Sequence, residues 1–472
     1  MRAAKILLLT VLLVFAVAGA QSATTNSLVW QTATDRVSAD VRGEALWPLL
    51  EDIAHQTGWH IFVEPGADRK TDVKFKDLSS GEALKKLLGD LNYAFVPKTN
   101  EANHLYVFQT TMRNATQRVA AALANPGKAK HVANELIVKL KPGADIDAIA
   151  KSVGAKVIGR DDKLGIYRLQ FEDEAAMEAA LAKLKTNSDV EAVDYNYIYD
   201  APVTAQPYAH PSVSPITLSP DSSKDSSDPC NPIVGLIDTG IQSMGSLDQF
   251  ILKKISVAGD STSGSGVTPK SYTASSDSDA SAVGPTHGTS MAETILRAVS
   301  QQSSSTGVKI LAVDVYGSSE TATTWNVALG VKAAVDGGAT VLSMSLGGTA
   351  DSAVLDSILQ QAMAKGVIIF AAAGNTPVDT PTYPAAIAGV NAVTALSAPG
   401  QLASYANFGS FVDMALPGAS VVYLGNQAYL VQGTSPATAY ASGVAAGYKS
   451  INCDTWSVIQ TMMQNKFTVP AK

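Results

Sequence analysis

Histidine and charged residues are scarce in this chain of 472 residues. Only six histidines occur, and His287 is the last of them along the chain. A general base made from imidazole in the C-terminal half therefore has one candidate. Charged residues make up 16% of the sequence, and the formal net charge is −7. This balance gives no basic surface, so we expect no nucleic-acid partner.

Apolar runs of membrane-spanning length are also missing after the N-terminus. There, Arg2 and Lys5 precede an apolar run over residues 6–18, which ends in the small residues of Ala18-Gly19-Ala20. Such a pattern is typical of a secretory signal peptide, which we predict over residues 1–20. The run is short for a membrane span. We therefore expect export, to the periplasm or the medium, and no span in the mature protein.

Cysteine occurs only at Cys230 and Cys453. In an exported protein an isolated pair forms a disulfide more often than it stays as two free thiols. A metal site would need more ligands than two cysteines with no histidine nearby. We predict a Cys230–Cys453 disulfide and no metal site, with free thiols as the alternative.

The length of the chain suggests about three domains. Helical spacing and short strand-like pieces predict a small α+β unit over residues 28–110 and a second one over residues 131–200. The polar, Ala-rich residues 111–130 between them are predicted to be a connector. Residues 201–228 are rich in Pro, Ser and Asp, which indicates an exposed linker that proteases cut readily. The last unit is predicted over residues 229–472.

The last unit alternates nearly continuous apolar strands with helical patterns. This alternation predicts an α/β domain with a parallel sheet covered on both faces, and active residues at the carboxyl ends of its strands. The predicted strands and helices are Ile233–Ile237, Val308–Val313, Val341–Ser345 and Val367–Ala372, then Thr324–Val335 and Ala353–Ala364.

Three short motifs in this unit supply an acid, a base and a nucleophile. Asp238 directly follows a predicted strand, His287 opens a helix-like run, and Ser435 precedes a helix of small residues. The order Asp, His, Ser is one of those in which triad chemistry is built. A nucleophile at a helix N-terminus also gains from the helix dipole and from free N–H groups. We predict that Asp238 orients His287 and that His287 activates Ser435.

A fourth side chain completes the predicted catalytic group. Asn375 ends another strand-like run, where its amide can donate to a developing oxyanion. The second predicted donor is the backbone N–H of Ser435.

The motifs of the last unit, taken together, resemble those of a subtilisin-like serine protease. The strings VGLIDTG, THGTSMAETI, LSMSLGG, FAAAGN, YPAA, SYANFGSFVDMALPG and GTSPATAYASG follow the family's order over residues 229–472. The resemblance implies an endopeptidase that acts on proteins or peptides through an acyl-enzyme intermediate. It also implies that Ser345, Leu346 and Gly347 pair with an extended substrate. Ala372, Ala373 and Gly374 would line the first specificity pocket.

The resemblance implies no required cofactor. Many relatives bind structural calcium, and Asp248, Asp260, Asp277 and Asp279 lie in Gly/Ser-rich loops. Their spacing matches no compact calcium loop, so solvated acidic residues are the alternative.

Two departures from the family pattern concern the surroundings of the triad. Glu293 stands where the family usually carries glycine, and it is expected to be structural or at the helix surface, with a pH-tuning role as the alternative. The familiar sequence after the nucleophile is replaced by Pro436-Ala437-Thr438-Ala439-Tyr440. The small residues that close helix packing needs are kept, whereas substrate preference is left open.

Residues 131–200 resemble the propeptide of fervidolysin-like subtilases. The resemblance rests on ELIVKLKPGADIDAIAKSVGAKVIGR and on the closing VEAVDYNYIY. It implies a unit that templates folding and then inhibits by lying along the substrate cleft. The chain is then a precursor that binds its own propeptide, with self-cleavage expected within about residues 200–229.

Residues 28–110 resemble the short N-terminal domain of secretins and TonB-dependent receptors, on the strings VSADVRGEALWPLLEDIAHQTGWHIFVEP and VKFKDLSSGEALKKLLGDLNYAFV. The resemblance implies docking to an envelope partner, and an inert folded spacer is the alternative. A rival for the whole chain is a pseudoprotease that acts as a periplasmic peptide-binding adaptor.

Overall fold

A computed structural model describes residues 26–64, 67, 69–98, 102–112, 115, 117–119, 129–209, 213–221, 228–258, 270–271, 284–398 and 400–470. The predicted signal peptide and three of the four loop acids, Asp260, Asp277 and Asp279, lie outside these ranges. Within them, no helix has both the length and the hydropathy to cross a membrane.

The N-terminal unit contains two helices and two small sheets, in the orders β1-β2-β4 and β5-β6-β3-β7. The apolar faces of both helices are buried with the inward faces of the strands. The elements are Ser27–Gln31 (β1), Arg36–Ala45 (β2), Leu46–Thr57 (α1), His60–Val63 (β3), Lys70–Leu78 (β4), Ser80–Leu88 (α2), Asn92–Val96 (β5), His104–Phe108 (β6) and Gln117–Val119 (β7).

The connector predicted at residues 111–130 contributes a strand to this unit. β7 pairs antiparallel with β3, and Val119 is buried in the core of the unit. Three residues are too few to show a strand period in the sequence. The strand forms because the edge strand β3 is available for pairing, and the sequence of the connector alone does not show this.

The second unit is an antiparallel sheet in the order β9-β10-β8-β11. Leu136, Val138 and Leu169 on one face of this sheet pack against its two helices. The opposite face carries Ile137 and Ile166, which are fully buried in the core of the last unit. The elements are His131–Leu140 (β8), Ile146–Ser152 (α3), Lys156–Asp161 (β9), Ile166–Gln170 (β10), Glu174–Leu184 (α4) and Val190–Asp200 (β11).

The remaining elements build the last unit. They are Gln206–Pro207 (β12), Ser219–Pro220 (β13), Ile233–Asp238 (β14), Ile251–Ser256 (β15), Lys270–Ser271 (β16), His287–Ser300 (α5), Ser305–Thr306 (β17), Lys309–Asp314 (β18), Thr321–Thr323 (β19), Thr324–Asp336 (α6), Val341–Met344 (β20), Ala353–Ala364 (α7), Ile368–Ala372 (β21), Asn391–Ala398 (β22), Gln401–Leu402 (β23), Met414–Pro417 (β24), Ala419–Leu424 (β25), Gln427–Gln432 (β26), Thr434–Asn452 (α8) and Trp456–Lys466 (α9).

The predicted parallel sheet is confirmed. Strands β15, β18, β14, β20, β21 and β22 are adjacent in that order, and each neighbouring pair is parallel. One face packs against α5 and α8, and the other packs against α6 and α7. Because both faces are covered, the inner strands β18, β14, β20 and β21 are mostly apolar, and reactive side chains are expected at their ends.

Two positions in the predicted linker, residues 201–228, are buried, although many of its described residues are exposed as expected. Ala205 and Leu218 are 3% and 6% exposed and belong to the main core of the last unit. β12 pairs with β26, and β13 pairs with β17. The segment has too few large apolar residues to order itself. It gains order where its strands pair with strand edges of the last unit.

The two cysteines form the predicted disulfide. Cys453 ends α8 and Cys230 lies before β14, and the bond between them spans 223 residues of sequence. It ties the start of the last unit to the end of its central helix.

Candidate active site

Asp238 and His287 lie in direct contact at the carboxyl end of the central strand. His287 Nδ1 is 2.8 Å from Asp238 Oδ1 and 3.0 Å from Oδ2. Both residues are almost fully buried, at 1% and 2% exposure. Because a carboxylate only accepts, Nδ1 carries the proton and donates, which leaves Nε2 of the imidazole free to accept a proton.

The threonine and glycine that follow these two residues hold the pair together. The Gly288 N–H donates to Thr239 Oγ1 at 2.8 Å, and the Thr239 N–H donates to Asp238 Oδ1 at 2.7 Å. A Cβ atom at Gly288 would overlap the carbonyl oxygen of Thr239. Only glycine therefore lets the first turn of α5 lie directly against the end of β14.

Helices α5 and α8 also pack at a distance that requires glycine. A Cβ atom at Gly443 would overlap the carbonyl oxygen of Ile295, and one at Gly447 would overlap the side chain of Gln302. The contact nearer the C-terminal end of α8, at Gly447, is thus also the contact nearer the C-terminal end of α5. The two helices run parallel and in contact.

This packing places Ser435 level with His287. Ser435 precedes Gly443 by eight residues, and His287 precedes Ile295 by eight residues. The rise from each contact to the helix start is about 12 Å on both helices. Ser435, at 6% exposure, therefore lies at the same end of two touching helices as the Asp238–His287 pair.

Asn375 is fixed by the residue that precedes Ser435. Its Oδ1 accepts from the backbone N–H of Thr434 at 2.8 Å and from the Thr434 hydroxyl at 3.1 Å. Because Oδ1 is engaged, the NH2 group of the amide is the part left to donate. Gly433 has a φ of 146°, and a Cβ atom there would lie 3.2 Å from Asn375 Nδ2.

The start of α8 lies beside this amide, because Thr434, its first residue, donates to Asn375. Ser435 is the second residue of the helix, and Pro436 is the third. The proline therefore falls among the first four residues, whose N–H groups have no partner within the helix. It removes no donor that the helix itself needs.

The two predicted substrate-binding segments are neighbours in the fold. Ser345 follows β20, and its hydroxyl donates to the Ser435 carbonyl at 3.2 Å. A Cβ atom at Gly347 would lie 3.8 Å from the Ala372 carbonyl oxygen at the end of β21. Leu346, Ala372 and Ala373 are buried, and Gly374 is half-buried.

The end of the second unit lies beside these segments. β11 pairs antiparallel with β19, with Tyr199 opposite Ala322. The ring of Tyr199 is 3.7 Å from the position that a Cβ atom at Gly348 would take. Tyr199 is 1% exposed and is buried in a core together with residues of the last unit.

Glu293 is not at the helix surface. It is 2% exposed, accepts from Arg297 Nη2 at 2.8 Å, and accepts from the Tyr423 N–H at 2.7 Å. Burial raises the pKa of Glu293 above its ordinary value, and the two hydrogen bonds oppose this rise. The residue joins α5 to β25, away from the His287 end of the helix.

The acidic loops are expected either to bind calcium or to carry solvated side chains. Asp248, the only described one of the four loop acids, accepts from Ser243 Oγ and from the Met244 N–H. Among the residues that the structure describes, no group of three or more His, Cys, Asp or Glu could hold a metal ion. The one described loop acid is thus engaged in local hydrogen bonds.

Thr239 and Thr434 are site residues that the sequence reasoning did not single out. Each lies next to a catalytic candidate, in Asp-Thr-Gly and in Gly-Thr-Ser. Their hydroxyls bond across to other elements, to Gly288 and Asn375 respectively. In the sequence, these threonines are marked only by their position next to Asp238 and Ser435.

Two family models match this chain. The model of the subtilase family matches residues 230–469, and that of the fervidolysin N-terminal prodomain matches residues 117–196. Together they cover the last unit and most of the second unit.

Curated relatives agree with the family models. The thermostable alkaline protease of Halalkalibacterium halodurans is 35% identical over 170 residues, 35% of this chain and 47% of that protein. The thermophilic serine proteinase of Bacillus sp. strain AK1 is 28% identical over 338 residues, 68% of this chain and 78% of that protein. The chain spans about half the length of several of the curated relatives it matches.

A solved structure shares the fold. Fervidolysin from Fervidobacterium pennivorans, described as a keratinolytic enzyme related to subtilisin, superposes with a TM-score of 0.53. The match covers 73% of this chain and 58% of that one, at 20% identity.

Proposed function

The chain belongs to the subtilase family, and on this basis we propose that it is an exported serine endopeptidase that uses Asp238, His287 and Ser435. The observation that carries the proposal is the buried Asp238–His287 hydrogen bond, which lies level with Ser435 at the start of a touching helix. Asp238 holds the tautomer in which Nε2 can accept a proton.

The reaction follows from these positions. His287 Nε2 takes the proton of the Ser435 hydroxyl as Oγ attacks the carbonyl carbon of a peptide bond. The Asn375 NH2 group and the Ser435 N–H donate to the oxyanion that forms. His287 then protonates the leaving amine, and water releases the acyl group by the same route in reverse.

We propose that residues 131–200 are a propeptide that blocks the cleft of the precursor. Asp194 supports this role, because its Oδ2 accepts from the Val354 N–H at 2.8 Å and from Ser352 Oγ at 3.0 Å at the start of α7. Asn196 Oδ1 accepts from the Trp325 N–H at 3.2 Å at the start of α6. A carboxylate at a helix N-terminus is favoured by the helix dipole and by the free N–H groups.

The N-terminal unit has a less defined role. Trp47 on α1 packs against the main core of the last unit as well as against its own core. This contact gives no preference between docking on an envelope partner and acting as a spacer. Both roles stay predictions, as does the likeness to the short domain of secretins.

Activity of the purified precursor tests the proposed function. We expect it to shorten from the N-terminal side and to gain activity toward an internally quenched peptide as it does so. Ser435→Ala should do neither, with kcat lower by about 10⁶-fold, the magnitude known for subtilisin. Ser442→Ala is the matched control, because it removes a buried hydroxyl from the same helix. Peptide binding by the wild type without turnover would favour the adaptor instead.

A further inference from the structure

The segment that joins the second unit to the last one is held in an extended form on both sides of the catalytic group. We propose that Ser435 cuts its own chain between Ala201 and Ala205, with Pro202–Val203 as the scissile bond, and that residues 203–221 stay with the mature enzyme. This proposal deepens the proposed function and rests on it.

Pairing with β19 fixes the segment on the upstream side. Ile198, Tyr199 and Asp200 stand opposite Thr323, Ala322 and Thr321. The Ala201 N–H then donates to the Glu320 carbonyl at 2.6 Å. The chain is therefore held in strand form as far as Ala201.

Pairing with β26 fixes the segment on the downstream side. Gln206 stands opposite Leu430 and Pro207 opposite Tyr429, and the Tyr208 N–H donates to the Ala428 carbonyl at 2.8 Å. β26 is the strand that leads through Gly433 into α8 and Ser435.

The antiparallel register identifies the bond that faces the nucleophile. Gln206 stands opposite Leu430, and residues 203–205 are not themselves paired with β26. Each step back along the segment is one step forward along β26, so the same register, continued from Gln206, brings Val203 opposite Gly433. Ser435 is two residues beyond Gly433, at the start of α8. The peptide bond on the N-terminal side of Val203 is thus the one presented at the helix start.

The segment has no slack to present a more distant bond. Only four residues separate Ala201 from Gln206, and a fully extended chain of this length covers about 17 Å. Ala205 is 3% exposed and packed in the core, so the segment cannot slide without losing that contact.

The residues further along are held elsewhere. The Ser214 carbonyl accepts from Arg297 Nη1 at 3.0 Å, and the Val213 carbonyl accepts from the Tyr423 hydroxyl at 2.6 Å. Arg297 lies ten residues after His287 on α5, about 15 Å along the helix. Leu218 is buried in the main core. A cut in residues 213–221 would require these contacts to break, whereas a cut before Val203 leaves them intact.

The covalent step follows the triad chemistry. Ser435 Oγ bonds to the Pro202 carbonyl carbon and gives its proton to His287. The bond from that carbon to the Val203 nitrogen breaks, and His287 returns the proton to this nitrogen, which becomes the new N-terminal amine. Water then hydrolyses the Pro202 ester, which yields a carboxylate and restores the Ser435 hydroxyl.

N-terminal sequencing of the shortened protein tests the proposal. We expect Val203 as the new first residue, in a protein that also hydrolyses an unrelated peptide. A first residue other than Val203 overturns the proposal, as does a chain that stays full length while it hydrolyses that peptide. A chain that neither shortens, nor hydrolyses peptide, nor reacts with a serine-directed phosphonate overturns the proposed function itself.

Two valine-to-proline variants give a matched comparison. Val203→Pro converts the leaving nitrogen into a tertiary amide, and we expect the cut before residue 203 to slow at least tenfold. Val213→Pro makes the same change at an exposed position and should shorten at the wild-type rate. Thermal unfolding of both precursors checks that they fold. The reverse order of rates in folded precursors contradicts the proposed site.

Pro202 gives a change in the opposite direction. Proline has no N–H to donate to the cleft, and one backbone hydrogen bond corresponds to about fivefold in rate. Pro202→Ala should therefore shorten faster by about that factor. A slower rate in a folded precursor would contradict the position assigned to Pro202.

Discussion

The polar groups of the candidate site are oriented by threonines at the ends of two elements. Thr239, which follows Asp238, accepts from the Gly288 N–H through its hydroxyl oxygen. Thr434, which precedes Ser435, donates its backbone N–H to Asn375 Oδ1. The sequence predicted Asp238, His287, Ser435 and Asn375 because each ends a strand or starts a helix. It could not predict the threonines, since their partners lie about 50 residues or more away.

Asn375 allows a test at this scale. Asn375→Ala should lower kcat by about 10²–10³, the loss known for the corresponding amide of subtilisin. KM should change little, because the hydrogen bond strengthens as the oxyanion forms. The measurement is steady-state hydrolysis of a quenched peptide by the matured variant. A rise in KM at constant kcat would assign Asn375 to substrate binding.

Among the elements, the apolar strands and the surrounding helices were the easiest to predict. The helix expected at Ala353–Ala364 has those bounds, and the helix expected at Thr324–Val335 extends by one residue. The hairpin of β25 and β26 was not predicted, although it leads directly to Ser435. Its residues are only partly buried and gain their order from pairing with each other and with β12.

Glu51 on α1 gives a pH-dependent test at the element scale. Burial raises its pKa to about 7, against about 4.3 in an unfolded chain. The folded state thus binds the proton more tightly, and stability falls as the pH rises from about 4 to 7. The loss above pH 7 is about 4 kcal/mol.

Glu51→Gln should remove this loss. We expect the N-terminal unit of the variant to unfold at a higher temperature than that of the wild type at pH 8, and at a similar temperature at pH 4. Glu82→Gln is the control, because hydrogen bonds with Ser79 lower the pKa of Glu82. That change should lower stability at pH 8. Equal wild-type and Glu51→Gln melting at pH 8 would contradict the role of burial.

Across the whole molecule, the second and last units share a core that no single segment predicts. Ile137 and Ile166 of the second unit are buried against α6 and α7, and Ala205 and Leu218 of the linker are buried in the last unit. A sequence pattern shows which face of an element is apolar, but not which distant element covers it. This is why a segment predicted to be exposed is partly buried.

The Cys230–Cys453 disulfide contributes to stability at this scale. On the chain-entropy account, a disulfide that closes a loop of 223 residues stabilises the folded state by up to about 5 kcal/mol. Reduction of the wild type should lower the denaturant midpoint of the last unit. The double variant Cys230→Ser, Cys453→Ser should show the lower midpoint and no response to reductant. An unchanged wild-type midpoint after complete reduction would contradict this contribution.

The most direct test of the proposed triad is the identity of the residue that a serine-directed phosphonate modifies. After reaction with the matured protein, peptide mass spectrometry should find one adduct, on the peptide that contains Ser435. His287→Ala should slow its formation, because Nε2 no longer accepts the hydroxyl proton. An adduct on another serine, or none on a matured protein that still binds peptide, would contradict the assignment of Ser435 as the nucleophile.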